Sequence, residues 1–151
     1  MAEHQINKQA VVPYTAAQMY ALVNDVRCYP EFLRGCVRAV ILSQTEEQMV
    51  VQLHFMLSGF SVSFTTRNQC TKDARIDVAL EEGPFTQLSG DWQFSDQEAG
   101  TGVVQSMMAL RLSFEWAPGP WNFLFRSVFH KMSDQLVEAF CRRADVVYSA
   151  V

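Results

Sequence analysis

Apolar positions recur every second residue through the middle of the chain and every third or fourth residue near its end. Met49, Val51, Leu53, Phe55 and Leu57 share one side of an extended segment, and Phe60, Val62 and Phe64 resume that period after Ser58-Gly59. Ala74, Ile76, Val78 and Leu80 form a further set, followed by Leu88, Gly90, Trp92 and Phe94, and then Met108, Leu110, Leu112, Phe114 and Trp116. A side-chain period of two puts each set on one face of a sheet. Residues 4–12 read as a first strand ending at Pro13, and Val37 to Leu42 alternates more loosely. The breakers Gln44-Thr45-Glu46-Glu47, Thr71-Lys72-Asp73, Glu82-Gly83-Pro84 and the stretch 95–102 separate these runs. Strands joined by turns this short pair antiparallel.

Two short helices are predicted after the first strand. Thr15 is placed to cap a helix over 16–23, with Gln18 as a partial capping box. Tyr29-Pro30-Glu31-Phe32-Leu33 makes a second short helix or turn, with Pro30 in its first turn. After Pro118-Gly119-Pro120 the period becomes helical at Trp121, Leu124, Phe125, Val128, Phe129, Met132, Leu136 and Phe140, predicting one long C-terminal helix. The expected class is α+β: residues 1–151 form one domain, with a curved antiparallel sheet of about seven strands wrapped on that helix.

Composition adds weight to the interior. Hydrophobic residues make up 49% of the 151, and 11 are Phe, so large apolar surface must enter a core, a pocket or an interface. The apolar runs fall short of the ~20 residues that cross a bilayer. Met1-Ala2-Glu3-His4-Gln5 has neither a basic start nor an apolar centre, so the expected location is cytoplasmic. A net charge of -4 disfavours broad binding to nucleic acid, DNA included. Arg27, Arg34 and Arg38 nonetheless cluster, and Arg126, Lys131, Arg142 and Arg143 follow the last helix. Cys28, Cys36, Cys70 and Cys141 lack zinc-ligand spacing and read as reduced thiols, with neither disulfide nor metal expected.

The element order matches the helix-grip, or START-like, superfamily, which is related to polyketide cyclases and dehydrases. Several strings resemble its coenzyme Q-binding and ribosome-association toxin family. They are Val12-Pro13-Tyr14-Thr15-Ala16, Leu22-Val23-Asn24-Asp25-Val26, Tyr29-Pro30-Glu31-Phe32-Leu33 and Cys36, then Phe64-Thr65-Thr66-Arg67-Asn68 and Gly83-Pro84-Phe85. Leu88-Ser89-Gly90-Asp91-Trp92-Gln93-Phe94, Arg143-Ala144 and Val147-Tyr148 complete the set, which runs from about residue 6 to 149. The resemblance implies a lipid-binding domain whose cavity, between sheet and C-terminal helix, accepts a ubiquinone-like lipid without transforming it, in support of respiratory electron transport. In the toxin branch it implies binding to the large ribosomal subunit and a block on subunit joining. The family often carries Pro after Phe-Leu, whereas this chain has Arg34, which removes a rigid turn and adds charge.

Phe64, Trp92, Phe94, Leu112, Phe114, Trp116, Trp121, Phe125, Phe129 and Met132 are the candidate cavity wall, with solid core as the competing reading. Arg34, Arg38, Arg142 and Arg143 are the candidate ribosome-facing residues. Arg67, Arg111 and His54 have the parity of the opposite sheet face, as do Asp91 and Glu115, the acid and base that a cyclase-like pocket would need. No nucleophile elbow is present, His130 reads as a surface residue, and no catalytic residue is assigned. Trp121, Phe123 and Phe125 at the start of the last helix also suit transient contact with the inner membrane surface.

Overall fold

The computed structural model describes residues 3–98, 100, 102–119 and 123–149, the side chains of 123–125 excepted. Strand β1 (His4–Val12) is followed by helix α1 (Ala16–Asn24) and a 3-10 helix (Val26–Glu31). Six strands come next: β2 (Cys36–Gln44), β3 (Gln48–Leu57), β4 (Phe60–Thr71), β5 (Arg75–Glu82), β6 (Phe85–Asp96) and β7 (Ser106–Trp116). They join β1 in one seven-stranded sheet of order β1-β7-β6-β5-β4-β3-β2, antiparallel throughout. The meander β2–β7 pairs neighbour with neighbour, and the two helical elements carry the chain from β1 at one edge to β2 at the other.

The predicted single C-terminal helix is instead two, α2 (Phe123–Asp134) and α3 (Leu136–Tyr148). Ser133 donates its hydroxyl to the His130 carbonyl at 2.9 Å, and Gln135 N–H bonds to Met132 O at 3.1 Å, three residues back. Both bonds tighten the backbone where the helix breaks. The apolar period runs straight across this point, which is why the sequence reads as continuous.

Polar side chains fix the helices on the sheet. Thr15 and Gln18 form a complete capping box on α1, and Asp96 of β6 accepts from Ala16 N–H at 2.9 Å. Tyr14 donates to Asp145 of α3 at 2.6 Å, and Tyr148 donates to the Gln18 carbonyl at 2.8 Å. Between these ties lie Met19, Val23, Met108, Leu110 and Ala144, all fully buried.

Gly90 of β6 lies directly against the β7 main chain, opposite Leu112. A Cβ there would lie 2.1 Å from the Arg111 carbonyl oxygen and 2.7 Å from Leu112 Cα, both main-chain atoms that a paired strand holds in place. Gly90→Ala is therefore expected to cost about 2–3 kcal/mol of unfolding free energy in chemical denaturation. A loss below about 0.5 kcal/mol would show that the two strands separate freely.

Candidate functional site

A cavity of about 120 Å³ lies between the inner sheet face and the helices, and its wall is almost wholly apolar. Val51 and Phe55 of β3, Phe64 of β4, Ile76 of β5, Trp92 of β6 and Leu110 and Phe114 of β7 form the sheet side. Phe129 and Met132 of α2 and Leu136 and Phe140 of α3 close it from above, and Val23, Val26, Tyr29 and Leu33 close one end. Two groups of rings bracket the space. At one end Phe129 meets Phe55, Phe64 and Phe114 edge-on, with centroids 5.7, 6.2 and 5.6 Å away. At the other, Phe140 meets Trp92 and Tyr29 at 5.2 and 5.4 Å.

Of the ten residues proposed for the wall, Phe64, Trp92, Leu112, Phe114, Phe129 and Met132 line this space. Phe94 and Trp116 do not. Both are buried and keep the expected parity, but Phe94 packs edge-on against Tyr20 of α1 at 5.9 Å. Trp116 packs against Phe85 at 4.7 Å and donates its indole N–H to His130 Nε2 at 3.0 Å. Trp121 lies outside the described residues, as do the side chains of Phe123 and Phe125, so the proposed membrane-facing group is not described.

The wall also holds polar residues that the apolar periodicity does not mark. Thr66 and Asn68 are buried on β4, and Thr66 Oγ1 donates to Asn68 Oδ1 at 3.1 Å. Their signal was two polar residues at the parity of Phe64. Tyr29 points its hydroxyl at the Val23 carbonyl, and burial pushes that phenol far up.

The acid and base candidates lie elsewhere. Asp91 is on the outer face, where it accepts from Arg75 and Arg111 at 3.3 Å each and from Gln93 at 2.9 Å. Glu115 accepts from Thr86 at 2.8 Å. Arg67 pairs with Glu81 and bonds Gln48 at 2.8 Å, and His54 bonds Gln52 at 2.9 Å, as their outward parity requires. The four cysteines are free thiols, with Cys36 raised to about 11 by burial and Cys28 to about 11 by its hydrogen bond to Asp25.

His130, expected on the surface, is half-buried and stacked on His4 with ring centroids 4.2 Å apart. His4 in turn bonds Asp134 Oδ1 at 2.8 Å. Burial first, then His4 and Arg126, hold the His130 imidazole below the ordinary histidine range, while Asp134 opposes them. The unfolded chain thus takes up this proton first as pH falls. The stabilising contribution of neutral His130 is complete above about pH 6.5 and is lost as pH drops from there through the folded value. His130→Gln should flatten that part of the stability profile, and an unchanged profile would assign the acid sensitivity to other groups.

The four arginines chosen as ribosome-facing do not behave alike. Arg34, Arg38 and Arg142 are exposed, and among the described residues no ion pair involves them. Arg27 is exposed as well, with no ion pair among the described residues. Arg143 is instead a clamp: it donates to Glu31 at 2.6 Å, and its guanidinium lies 5.1 Å above the Phe32 ring. It thereby ties α3 to the segment that carries Arg27, Arg34 and Arg38. Arg143→Ala is expected to cost about 1 kcal/mol through the lost ring contact, or about 3 °C in thermal midpoint. A variant as stable as the parent would mean that the clamp has no net effect.

Among the described residues, no helix is long and apolar enough to cross a membrane, and no group of His, Cys, Asp and Glu could hold a metal ion. The model of the family described as polyketide cyclase / dehydrase and lipid transport matches residues 12–141. The ribosome association toxin RatA of Escherichia coli K12 is 42% identical over 148 residues, covering 97% of this chain and 90% of the relative. Among solved structures, the Zhui aromatase/cyclase from Streptomyces sp. R1128 superposes with a TM-score of 0.76 at 17% identity, over 99% of each chain. A START superfamily protein from Mycobacterium smegmatis gives 0.71 at 19% identity, covering 95% of this chain and 99% of the other. At those identities the likeness is one of fold. By its helix-grip architecture, the family model and the toxin relative together, the chain belongs to the polyketide cyclase / dehydrase and lipid transport family, in the group that includes the ribosome association toxins.

Proposed function

We propose that the protein binds the large ribosomal subunit through an arginine-bearing face and opposes the joining of the subunits. The observation that carries this reading is the 42% identity to a ribosome association toxin along 97% of the chain. Arg27, Arg34, Arg38 and Arg142 support it, because exposed guanidinium groups with no carboxylate partner among the described residues supply local positive charge for RNA phosphates. With a net charge of -4, attraction to RNA depends on this local charge, and contacts of arginine with phosphate make binding sensitive to salt. Arg34, exposed just ahead of β2, adds to it. The test is sedimentation with isolated large subunits, and formation of whole ribosomes from purified subunits with and without the protein. Co-sedimentation with the large subunit and fewer joined ribosomes are expected. Failure to sediment even at low salt would overturn the reading.

The cavity favours a second role alongside the first, in which the protein holds an apolar ligand, with a ubiquinone-type lipid as our candidate. A volume of about 120 Å³ accommodates a ring and is below the roughly 300–1,000 Å³ of common ligand pockets, so an isoprenoid tail requires α2 to move outward. The described wall carries no carboxylate, imidazole or amine, which supports carriage rather than turnover. Protein purified without detergent from a quinone-producing host should release quinone into an organic extract at near-stoichiometric level. An empty extract from the parent protein would count against a resident lipid.

A further inference from the structure

We propose that Asn68 selects the ligand of the cavity, donating a hydrogen bond from its carboxamide Nδ2 to a carbonyl oxygen on a neutral apolar ring. The inference rests on the ligand-holding reading above and adds to it the group that is recognised. Asn68 is 9% exposed and lines the cavity. Its cross-strand neighbours are Met49 and Val78, and those of Thr66 are Val51 and Leu80, so the sheet around the pair is apolar. Thr66 Oγ1 donates to Asn68 Oδ1 at 3.1 Å, which orients the carboxamide. No described residue accepts from Nδ2.

The other hydroxyl donors on the wall are already engaged. Tyr29 donates to Val23 O, Ser133 donates to His130 O at 2.9 Å, and Thr66 donates to Asn68 itself. An amide donor left open in an apolar cavity is unfavourable unless an occupant accepts from it. Packing alone favours an aliphatic residue at this central strand position. With no cation on the described wall, a carboxylate ligand would lose its hydration without a counter-charge, so the acceptor is a neutral carbonyl, as in a cyclic ketone or quinone.

The test is a titration followed by proton–nitrogen NMR with two rings of one shape, duroquinone and its oxygen-free counterpart durene. The parent protein is expected to bind duroquinone about tenfold more tightly, with the Asn68 side-chain amide signal moving only for that ligand. Asn68→Leu should retain durene and lose the preference, and Thr66→Val should reduce it. Equal affinities in the parent, or a preference that survives Asn68→Leu, would overturn the role of Asn68 while leaving an apolar cavity. Binding of neither ring would overturn the ligand reading and this inference with it. If Asn68→Leu does not fold, the parent's affinity ratio and amide shift decide the matter.

Discussion

Replacing Arg34, Arg38 and Arg142 together by glutamate is expected to weaken association with the large ribosomal subunit by about a thousandfold, leaving the thermal midpoint nearly unchanged. Each charge-assisted contact with a phosphate is worth about 1.5 kcal/mol, and three such losses multiply to that factor. The dependence of binding on salt should fall in parallel, by about one in the log–log slope for each contact removed. Stability should be spared because the three side chains are exposed and take part in no ion pair among the described residues. Arg143→Glu is the informative contrast. It breaks the link between α3 and Glu31 and puts a carboxylate over the Phe32 ring, so its loss should appear in stability first. Sedimentation across a salt series checks both variants. Unchanged association of the triple variant would remove this face from the interface.

Phe129→Ala is expected to destabilise the protein by about 3–5 kcal/mol, the usual cost of truncating a buried Phe. Phe129 is 3% exposed and is the residue through which α2 meets four strands. Its ring lies 5.3 Å from Trp116, 5.6 Å from Phe114, 5.7 Å from Phe55 and 6.2 Å from both Phe64 and Phe85. Edge-to-face pairs of this kind add to the burial of the ring itself. The site already borders a cavity, so deletion enlarges an existing void, and the neighbouring rings must tilt to refill it. Chemical denaturation gives the cost directly. A loss under about 1 kcal/mol would show that α2 is seated by other contacts.

Strand parity was legible because it is local. Successive side chains of an extended chain point to opposite faces whatever they later meet. Phe64, Trp92, Leu112 and Phe114 could therefore be assigned to the inner face, and Arg67, Arg111, Asp91 and Glu115 to the outer one, from spacing alone. Thr15 and Gln18 announced the start of α1 for the same reason, since a capping box spans only four residues. How far along the inner face the cavity extends was not legible. Phe94 and Trp116 share the parity of Trp92 and Phe114, yet Tyr20 covers one and Phe85 and His130 the other.

By itself, then, the sequence determined the class, the seven strands, their faces and the family, all carried by short-range periodicity and ordered motifs. Only the tertiary structure decided the break at Gln135, the diversion of Arg143 to Glu31 and Phe32, the burial of His130, and the Thr66–Asn68 pair on the cavity wall. The break is set by the local bonds of Ser133 and Gln135, which the apolar period does not show, and the other three share one physical reason. Each depends on which distant segment covers a given side chain, and in a curled sheet the curvature and the seating of the helices settle that together.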